Sequence, residues 1–190
     1  MKVIDMTTSA RSIAVPLTGL GWRAVAILAA TTAAVIVPQL FHLAGNATGA
    51  GAGIAQTWLP MFLPVILVGL LAGPEVGAIV GIASPVIAAA VTGLPVPAMV
   101  PFMMIQLVTC GVVAGLVSRM RKPIVWSTLI VVASAPLVLL VARGLYGLAI
   151  GSGIGPVASD WLNGITAGVP GLLLQLVVVG LTLSLIGRRQ

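Results

Sequence analysis

The chain has 190 residues, of which 59% are hydrophobic and only 6% are charged, and its mean hydropathy is +1.23. A soluble domain carries about 25% charged residues, so this composition excludes a soluble globular domain and indicates a protein of the lipid bilayer. The net charge of +6 comes without a basic face interleaved with aromatic residues, which argues against a nucleic-acid partner.

Six apolar runs follow one another along the chain, and a spanning helix needs about 20 apolar residues. We therefore predict an all-α integral membrane protein with six transmembrane helices, forming a single domain over 1–190 with a cytoplasmic N-terminal segment at 1–20. The first run is long and is not followed by a small-residue cleavage site and a soluble domain, which favours a retained helix over a signal peptide. The predicted spans are about 22–43, 58–72, 76–92, 98–120, 124–150 and 165–186.

The basic residues predict the orientation of these spans. Eight of the nine Lys and Arg lie at the chain ends or in the turn around 119–122, and all eight fall on one side of a six-span bundle. The connections on the other side, at 44–57, 93–97 and 151–164, contain no Lys or Arg. Under the positive-inside rule both termini are cytoplasmic. The two long glycine-rich loops, 44–57 and 151–164, would then cover the outer mouth of the bundle.

Small residues recur at helical spacing in several spans. Gly77 and Gly81 form a GxxxG pair, and Ala26, Ala30 and Ala34 recur every four residues in the first span. Membrane helices associate through close van der Waals contact, which small residues permit. Each row is typical either of packing inside the bundle or of docking onto another membrane subunit.

The stretch from 59 to 119 resembles the substrate-binding S-components of energy-coupling factor (ECF) vitamin transporters. The resemblance rests on five motifs in order: LPM-x-x-PV at 59–65, G-x-x-x-GP at 69–74, G-x-x-x-G-x-x-x-P at 77–85, TG-x-P at 92–95 and Q-x-x-x-x-G-x-x-x-G at 106–115. It covers about a third of the chain closely and the rest in topology. The chain departs from the family's pattern at Phe62, where a histidine is usual, and at Gln106, where a glutamate is usual.

The resemblance implies a protein of the bacterial cytoplasmic membrane that captures a water-soluble vitamin or related micronutrient from outside. It also implies three partner subunits, namely a transmembrane scaffold and two cytoplasmic ATPases, and no cofactor. In that family the AxxxA row of the first helix is the docking surface, which gives Ala26, Ala30 and Ala34 a partner-docking role.

Arg143 is the most informative polar residue, because a charge inside a span is costly, by about 2.5–3.5 kcal/mol or more. One interpretation is a clamp for a ligand carboxylate or phosphate, or a donor to ligand carbonyls. A second is an arginine that snorkels outward or caps backbone carbonyls. A third is a structural ion pair with Asp160, the one acidic residue in the predicted outer loops.

Other polar and aromatic residues near the outer ends of the spans are candidates for substrate binding. The aromatic ones would stack on a ligand ring or anchor at the interface, the amides would bond a ligand or another helix, and methionine would line an adaptable pocket or pack in the core. His42 is expected to be interfacial rather than a ligand contact. The candidates are Tyr146, Trp161, Asn163, Gln106, Gln175, Asn46, Trp58 and Met103.

Two other function classes fit the sequence less well. A membrane hydrolase would need an acid–base pair or a metal cluster, and the sequence indicates neither, so we expect no enzymatic activity. A stand-alone facilitator or small channel would need a polar track across the membrane, whereas the inner halves of the spans are almost uniformly apolar. The chain has no GxxxxGK[ST] motif, so energy for uptake would come from another subunit.

Overall fold

A computed structural model of the chain describes residues 19–49, 51, 57–120, 123–151 and 155–187. In these ranges the structure is all-helical and contains no β-strand. One turn of 3-10 helix at Pro97–Met99 precedes the fourth helix. The helices are α1 (Leu20–Thr48), α2 (Phe62–Ala72), α3 (Pro74–Thr92), α4 (Val100–Val117), α5 (Ile124–Ala149) and α6 (Gly155–Gly187).

Five of the helices are long and apolar enough to cross a membrane, and α2 is shorter. The predicted all-α architecture is therefore confirmed, and the helices are compatible with the predicted multi-pass membrane bundle. The eleven residues of α2 measure about 16 Å at 1.5 Å per residue, against a hydrocarbon core of about 30 Å. The predicted span 58–72 is shorter as a helix than expected, because the chain turns at Leu59–Met61 before α2 begins.

The first and last helices extend beyond their predicted spans. The α1 helix continues past Pro38 to Thr48, into the segment predicted as loop 44–57, and ends where Gly49 takes a left-handed conformation with φ of 74°. Glycine adopts this conformation without steric cost, so it is a common helix stop. Residues 52–56 of the predicted loop lie outside the described residues, as do the basic residues at 2, 11, 121, 122, 188 and 189.

The α6 helix has 33 residues and begins at Gly155, ten residues before the predicted start of the sixth span. The predicted outer loop 151–164 is therefore largely helical, and Asp160, Trp161 and Asn163 lie in the first turns of α6 rather than in a loop. Packing accounts for the difference, because the indole Nε1 of Trp161 donates a hydrogen bond to the backbone carbonyl of Pro136 in α5, at 2.6 Å. Tertiary contacts of this kind override the weak helix propensity of glycine.

Three helices meet at glycine residues with their backbones in contact. A Cβ atom built at Gly77 of α3 would lie 2.6 Å from the backbone carbon of Gly111 in α4, and one built at Gly81 would lie 2.6 Å from the amide nitrogen of Val108. Gly69 of α2 faces the carbonyl of the same Gly111. The GxxxG pair of α3 therefore packs inside the bundle, as membrane helices with small residues do.

The buried core surrounds α2 and α4. Val65 and Ile66 of α2 and Leu107 and Cys110 of α4 are fully buried. The α2 helix packs against α1, α3, α4 and α6, and α4 packs against α2, α3 and α5. Although α2 is the shortest helix, it is thus the most enclosed one, and four other helices pack around it.

The alanine row of α1 faces this core. Ala26 and Ala34 are buried in it, and Ala30 is half-buried and packs against it. The chain's own helices cover Ala26 and Ala34, which favours the packing interpretation of the row over docking onto another subunit. These alanines serve internal packing here.

Substituting Gly77 by alanine tests the glycine contacts. The added Cβ would overlap the backbone of α4, and we expect the free energy of unfolding in detergent to fall by about 1–3 kcal/mol, as for other overpacked sites. Gly144 of α5 provides the matched control, since a Cβ there meets nothing within 4 Å. Equal stability of Gly77→Ala and Gly144→Ala in thermal or denaturant unfolding would contradict the backbone contact.

Candidate functional site

Two neighbouring cavities lie in the half of the bundle that contains the N-terminus of α2 and the C-terminal ends of α1, α3 and α5. The larger cavity, of about 380 Å³, is enclosed by α1, the turn before α2, the α3–α4 connection, α4 and α5. Its walls are mainly apolar. The residues lining it are Pro38, Gln39, His42, Leu59, Pro60, Met61, Phe62, Leu94, Pro95, Met99, Met103 and Arg143.

The smaller cavity, of about 230 Å³, lies between α2, α4, α5 and α6. Two carboxamides, an arginine, an aspartate and an indole are among the groups that line it, which makes its walls more varied chemically than those of the larger cavity. Its polar and aromatic lining residues are Gln106, Gln175, Arg143, Asp160 and Trp161, and its other lining residues are Leu59, Phe62, Met103, Val132, Ala135, Pro136, Leu139, Gly164, Ile165 and Leu172.

The two cavities share one wall, formed by Leu59, Phe62, Met103 and Arg143. Leu59 has a φ of 48°, the one positive φ at a non-glycine residue in the described part of the chain. A non-glycine residue in this region costs about 1–3 kcal/mol, and such residues cluster at ligand clamps and switch regions. The backbone before α2 is therefore held in a strained conformation at the wall that the two cavities share.

Among the described residues, Arg143 has only weak partners. Its guanidinium lies 5.6 Å from the ring centroid of Phe102 and its Nη2 lies 3.5 Å from the sulfur of Met99. Within the described residues the single ion pair joins Arg23 Nη1 to Glu75 Oε2 at 2.8 Å, at the opposite end of the bundle. The proposed ion pair of Arg143 with Asp160 is thus not formed, although both side chains line the smaller cavity.

The indole of Trp161 is fixed in the wall of the smaller cavity. Its one donor, Nε1, is used by the carbonyl of Pro136, so the ring presents an aromatic surface and no free hydrogen-bonding group to the cavity. Aromatic rings held in this way supply large, rigid contact area for a ligand.

Gln175 is 98% buried, since only 2% of its surface is exposed. Its Nε2 has no hydrogen-bond partner in the described part of the chain, and its side chain lines the smaller cavity. Gln106 lines the same cavity and is half-buried. The sequence-based expectation that these two amides face the interior of the bundle agrees with their positions.

Four predicted site residues do not line either cavity. Tyr146 is 55% exposed and packs edge-on against Phe102, with ring centroids 5.7 Å apart. Asn163 is exposed, Asn46 is exposed near the end of α1, and the side chain of Trp58 is 39% exposed. The structure therefore brings together Arg143, Met103, Gln106, Trp161 and Gln175, and leaves these four outside that group.

Several lining residues were not anticipated from the sequence. Gln39 lines the larger cavity and donates from Nε2 to the hydroxyl of Thr92 at 3.3 Å. Gln39 is an amide inside a predicted span, and this is the signal in the sequence that marks it as a candidate binding residue. Phe62 was marked in the sequence only as a departure from the family's motif, and Leu59 lines the cavities because the chain breaks before α2.

Comparisons with protein-family models, curated proteins and solved structures gave no match to this chain. Across the described residues, no group of three or more His, Cys, Asp or Glu side chains is placed to hold a metal ion.

Replacing Trp161 by phenylalanine tests how the cavity wall is held. The substitution removes the hydrogen bond to the Pro136 carbonyl, and we expect the free energy of unfolding to fall by about 1 kcal/mol. Trp126, which is 62% exposed on α5, is the control, and Trp126→Phe should change stability by less than about 0.5 kcal/mol. A Trp161→Phe variant as stable as the control in detergent unfolding would show that the hydrogen bond does not fix α6 on α5.

Proposed function

We propose that this chain captures a small water-soluble solute, of the vitamin or micronutrient class, as the S-component of an ECF-type transporter. The motifs that carry the resemblance, at 59–119, lie on α2, α3 and α4 and on the connections between them. These same segments supply Leu59–Phe62, Leu94–Pro95 and Met103 to the walls of the cavities. The resemblance and the cavities thus involve the same part of the chain.

The observation that carries the proposal is an arginine at the junction of two cavities that forms no ion pair with any acidic residue in the described part of the chain. A guanidinium is always charged and presents donors in a geometry that fits a carboxylate or phosphate. Its present contacts, a thioether and an aromatic ring, are weaker than a bond to an anion. The N-terminus of α2, the positive end of its helix dipole, lies in the wall of the larger cavity and favours the same ligand charge.

The packing favours a binding cup over a pore. At the end of the bundle remote from the cavities, α2, α3 and α4 are in backbone contact through Gly69, Gly77 and Gly111. Contacts this close exclude a hydrated path between these helices. The chain therefore needs a conformational change, driven by other subunits, to release a solute on the far side.

In the proposed transporter, a transmembrane scaffold subunit and two cytoplasmic ATPases drive the conformational change that releases the solute. Because Ala26 and Ala34 face the chain's own core, the scaffold would dock on other helix faces. The cell compartment is the bacterial cytoplasmic membrane, with both termini in the cytoplasm and the cavities opening outward. In this arrangement the short α2 and the turn before it together form the second of six crossings.

Ligand-induced stabilisation tests the function directly. Detergent-purified protein is heated with each member of a panel of B vitamins and their precursors. A ligand that binds only the native state, at 100 times its Kd, should add about 2.7 kcal/mol to the free energy of unfolding. A well-folded protein that responds to none of them would contradict the capture of a vitamin-like solute and favour a facilitator.

Arg143→Ala then tests the anchor with the ligand identified by the panel. Loss of a charge-assisted hydrogen bond costs about 1.5–3 kcal/mol, so we expect the Kd to rise by about 10- to 150-fold. Arg119→Ala, at an exposed arginine outside both cavities, is the control and should bind as the wild type does. If calorimetry gave the same Kd for Arg143→Ala and Arg119→Ala, Arg143 would not bind the ligand.

Cysteine labelling in intact cells tests the orientation. Val96 and Met120 are 52% and 49% exposed in the connections on opposite ends of the bundle, and each is replaced by cysteine in a Cys110→Ala background. A membrane-impermeant maleimide should label Val96→Cys in intact cells and Met120→Cys only after permeabilisation. The reverse pattern would place the cavities on the cytoplasmic side and overturn uptake from outside.

A further inference from the structure

The polar groups of the smaller cavity specify the substrate more narrowly than the charge of Arg143 alone. Gln175 lies at mid-length in α6, almost fully buried, with an Nε2 donor that no described residue accepts. A buried donor left unpaired costs about 1–3 kcal/mol, and native proteins leave few such groups without a reason. The cavity in front of this side chain is where a partner would sit.

One other buried side chain in the described residues has an unpaired polar atom, the hydroxyl of Thr31. A helical threonine can turn its hydroxyl to a carbonyl three or four residues earlier, as Thr92 and Thr109 do. Gln175 differs because it is one of the residues that line the smaller cavity, and a small rotation of its side chain would bring the donor to an incoming molecule.

A carboxamide presents a carbonyl acceptor and an N–H donor side by side. Its complement is another cis amide, which offers N–H and C=O on one edge and forms two hydrogen bonds with it. This match holds whichever way the Gln175 amide is turned. A lactam or a cyclic urea is a cis amide of this kind, whereas an ammonium group has no acceptor and an apolar ring has neither group.

The rest of the cavity agrees with a small flat ring. Trp161 offers an aromatic surface with its donor already used, and Gln106 supplies a second carboxamide. The volume of about 230 Å³ limits the group that enters, and Arg143 stands in the wall shared with the larger cavity. A ligand can therefore place its ring against Gln175 and its anionic group at Arg143.

We propose that the substrate is a carboxylate that carries a small cyclic amide, with the ring amide paired to the Gln175 carboxamide in the smaller cavity and the carboxylate bound by Arg143. This inference rests on the proposed function, since it assigns the substrate class of the same site. It adds Gln175 as the residue that determines specificity.

The test uses pyrrolidin-2-one rings that carry a carboxylate at ring carbon 5, attached directly or through one to four methylene groups. Each is compared with the cyclopentane carboxylate of equal chain length, which lacks the amide, and with pyrrolidin-2-one itself, which lacks the carboxylate. Binding to the purified wild-type protein is measured by calorimetry and by thermal shift. The best lactam carboxylate should bind at least about tenfold more tightly than its cyclopentane match, since it makes two further hydrogen bonds.

In Gln175→Leu and Gln175→Met, the lactam carboxylate and its cyclopentane match should bind with about equal affinity. Binding of the cyclopentane carboxylates should still depend on Arg143. Because the replaced donor has no partner in the described part of the chain, we expect the ligand-free variants to unfold at the same temperature as wild type or higher. Gln39→Leu is the control, since Gln39 lines only the larger cavity and bonds Thr92. It should keep the preference for the lactam.

Three results would overturn the inference. If wild type bound the lactam and cyclopentane carboxylates equally tightly, the ring amide would not pair with Gln175. Solute capture through Arg143 would still stand. A lactam preference that survives in Gln175→Leu and Gln175→Met would assign it to another residue. Failure to bind any of these carboxylates would reject the substrate class, and the vitamin panel with Arg143→Ala would decide separately whether the chain captures a solute.

Discussion

Contact between helix backbones at one end of the bundle is the constraint on which the rest of the structure depends. Gly111 of α4 lies against Gly69 of α2 and Gly77 of α3 at once, so the backbones of three helices meet at a single residue. In a bilayer, where apolar side chains gain nothing by leaving lipid for protein, such close contact is a main source of helix association. Side chains as small as alanine would separate the helices there.

Convergence at one end leaves space at the other. The same helices carry larger side chains toward the cavities, with Phe62 and Met103 forming part of the wall that divides them. Here the backbone before α2 leaves the helical conformation, which is tolerated at membrane depth where it is enclosed by protein or lines a cavity. The closed end and the cavities are thus two results of one packing arrangement, and the cavities give polar residues such as Gln106 and Gln175 room for water or a ligand.

The sequence predicted the all-helical architecture well, because apolar runs depend on few neighbours. It also pointed to Arg143, Gln106 and Gln175, which line the smaller cavity, because polar residues are rare inside apolar spans. Other features depend on contacts between distant segments and were missed. The early start of α6 rests on the Trp161 hydrogen bond to α5. The burial of the alanine row depends on where α2 packs. The break at Leu59 depends on a positive φ, which a leucine in the sequence does not predict.

The unequal lengths of the helices have a consequence for the surrounding lipid. The 33 residues of α6 extend over about 50 Å, while α2 reaches only about 16 Å, so no single bilayer thickness matches every helix. Long helices adapt by tilting or bending, and short ones by local thinning of the membrane, at a cost of a fraction of a kcal/mol per ångström of mismatch. The acyl-chain length of the host membrane would therefore act on the tilt of α6 against α5, and through it on the width of the smaller cavity, which these two helices line together with α2 and α4.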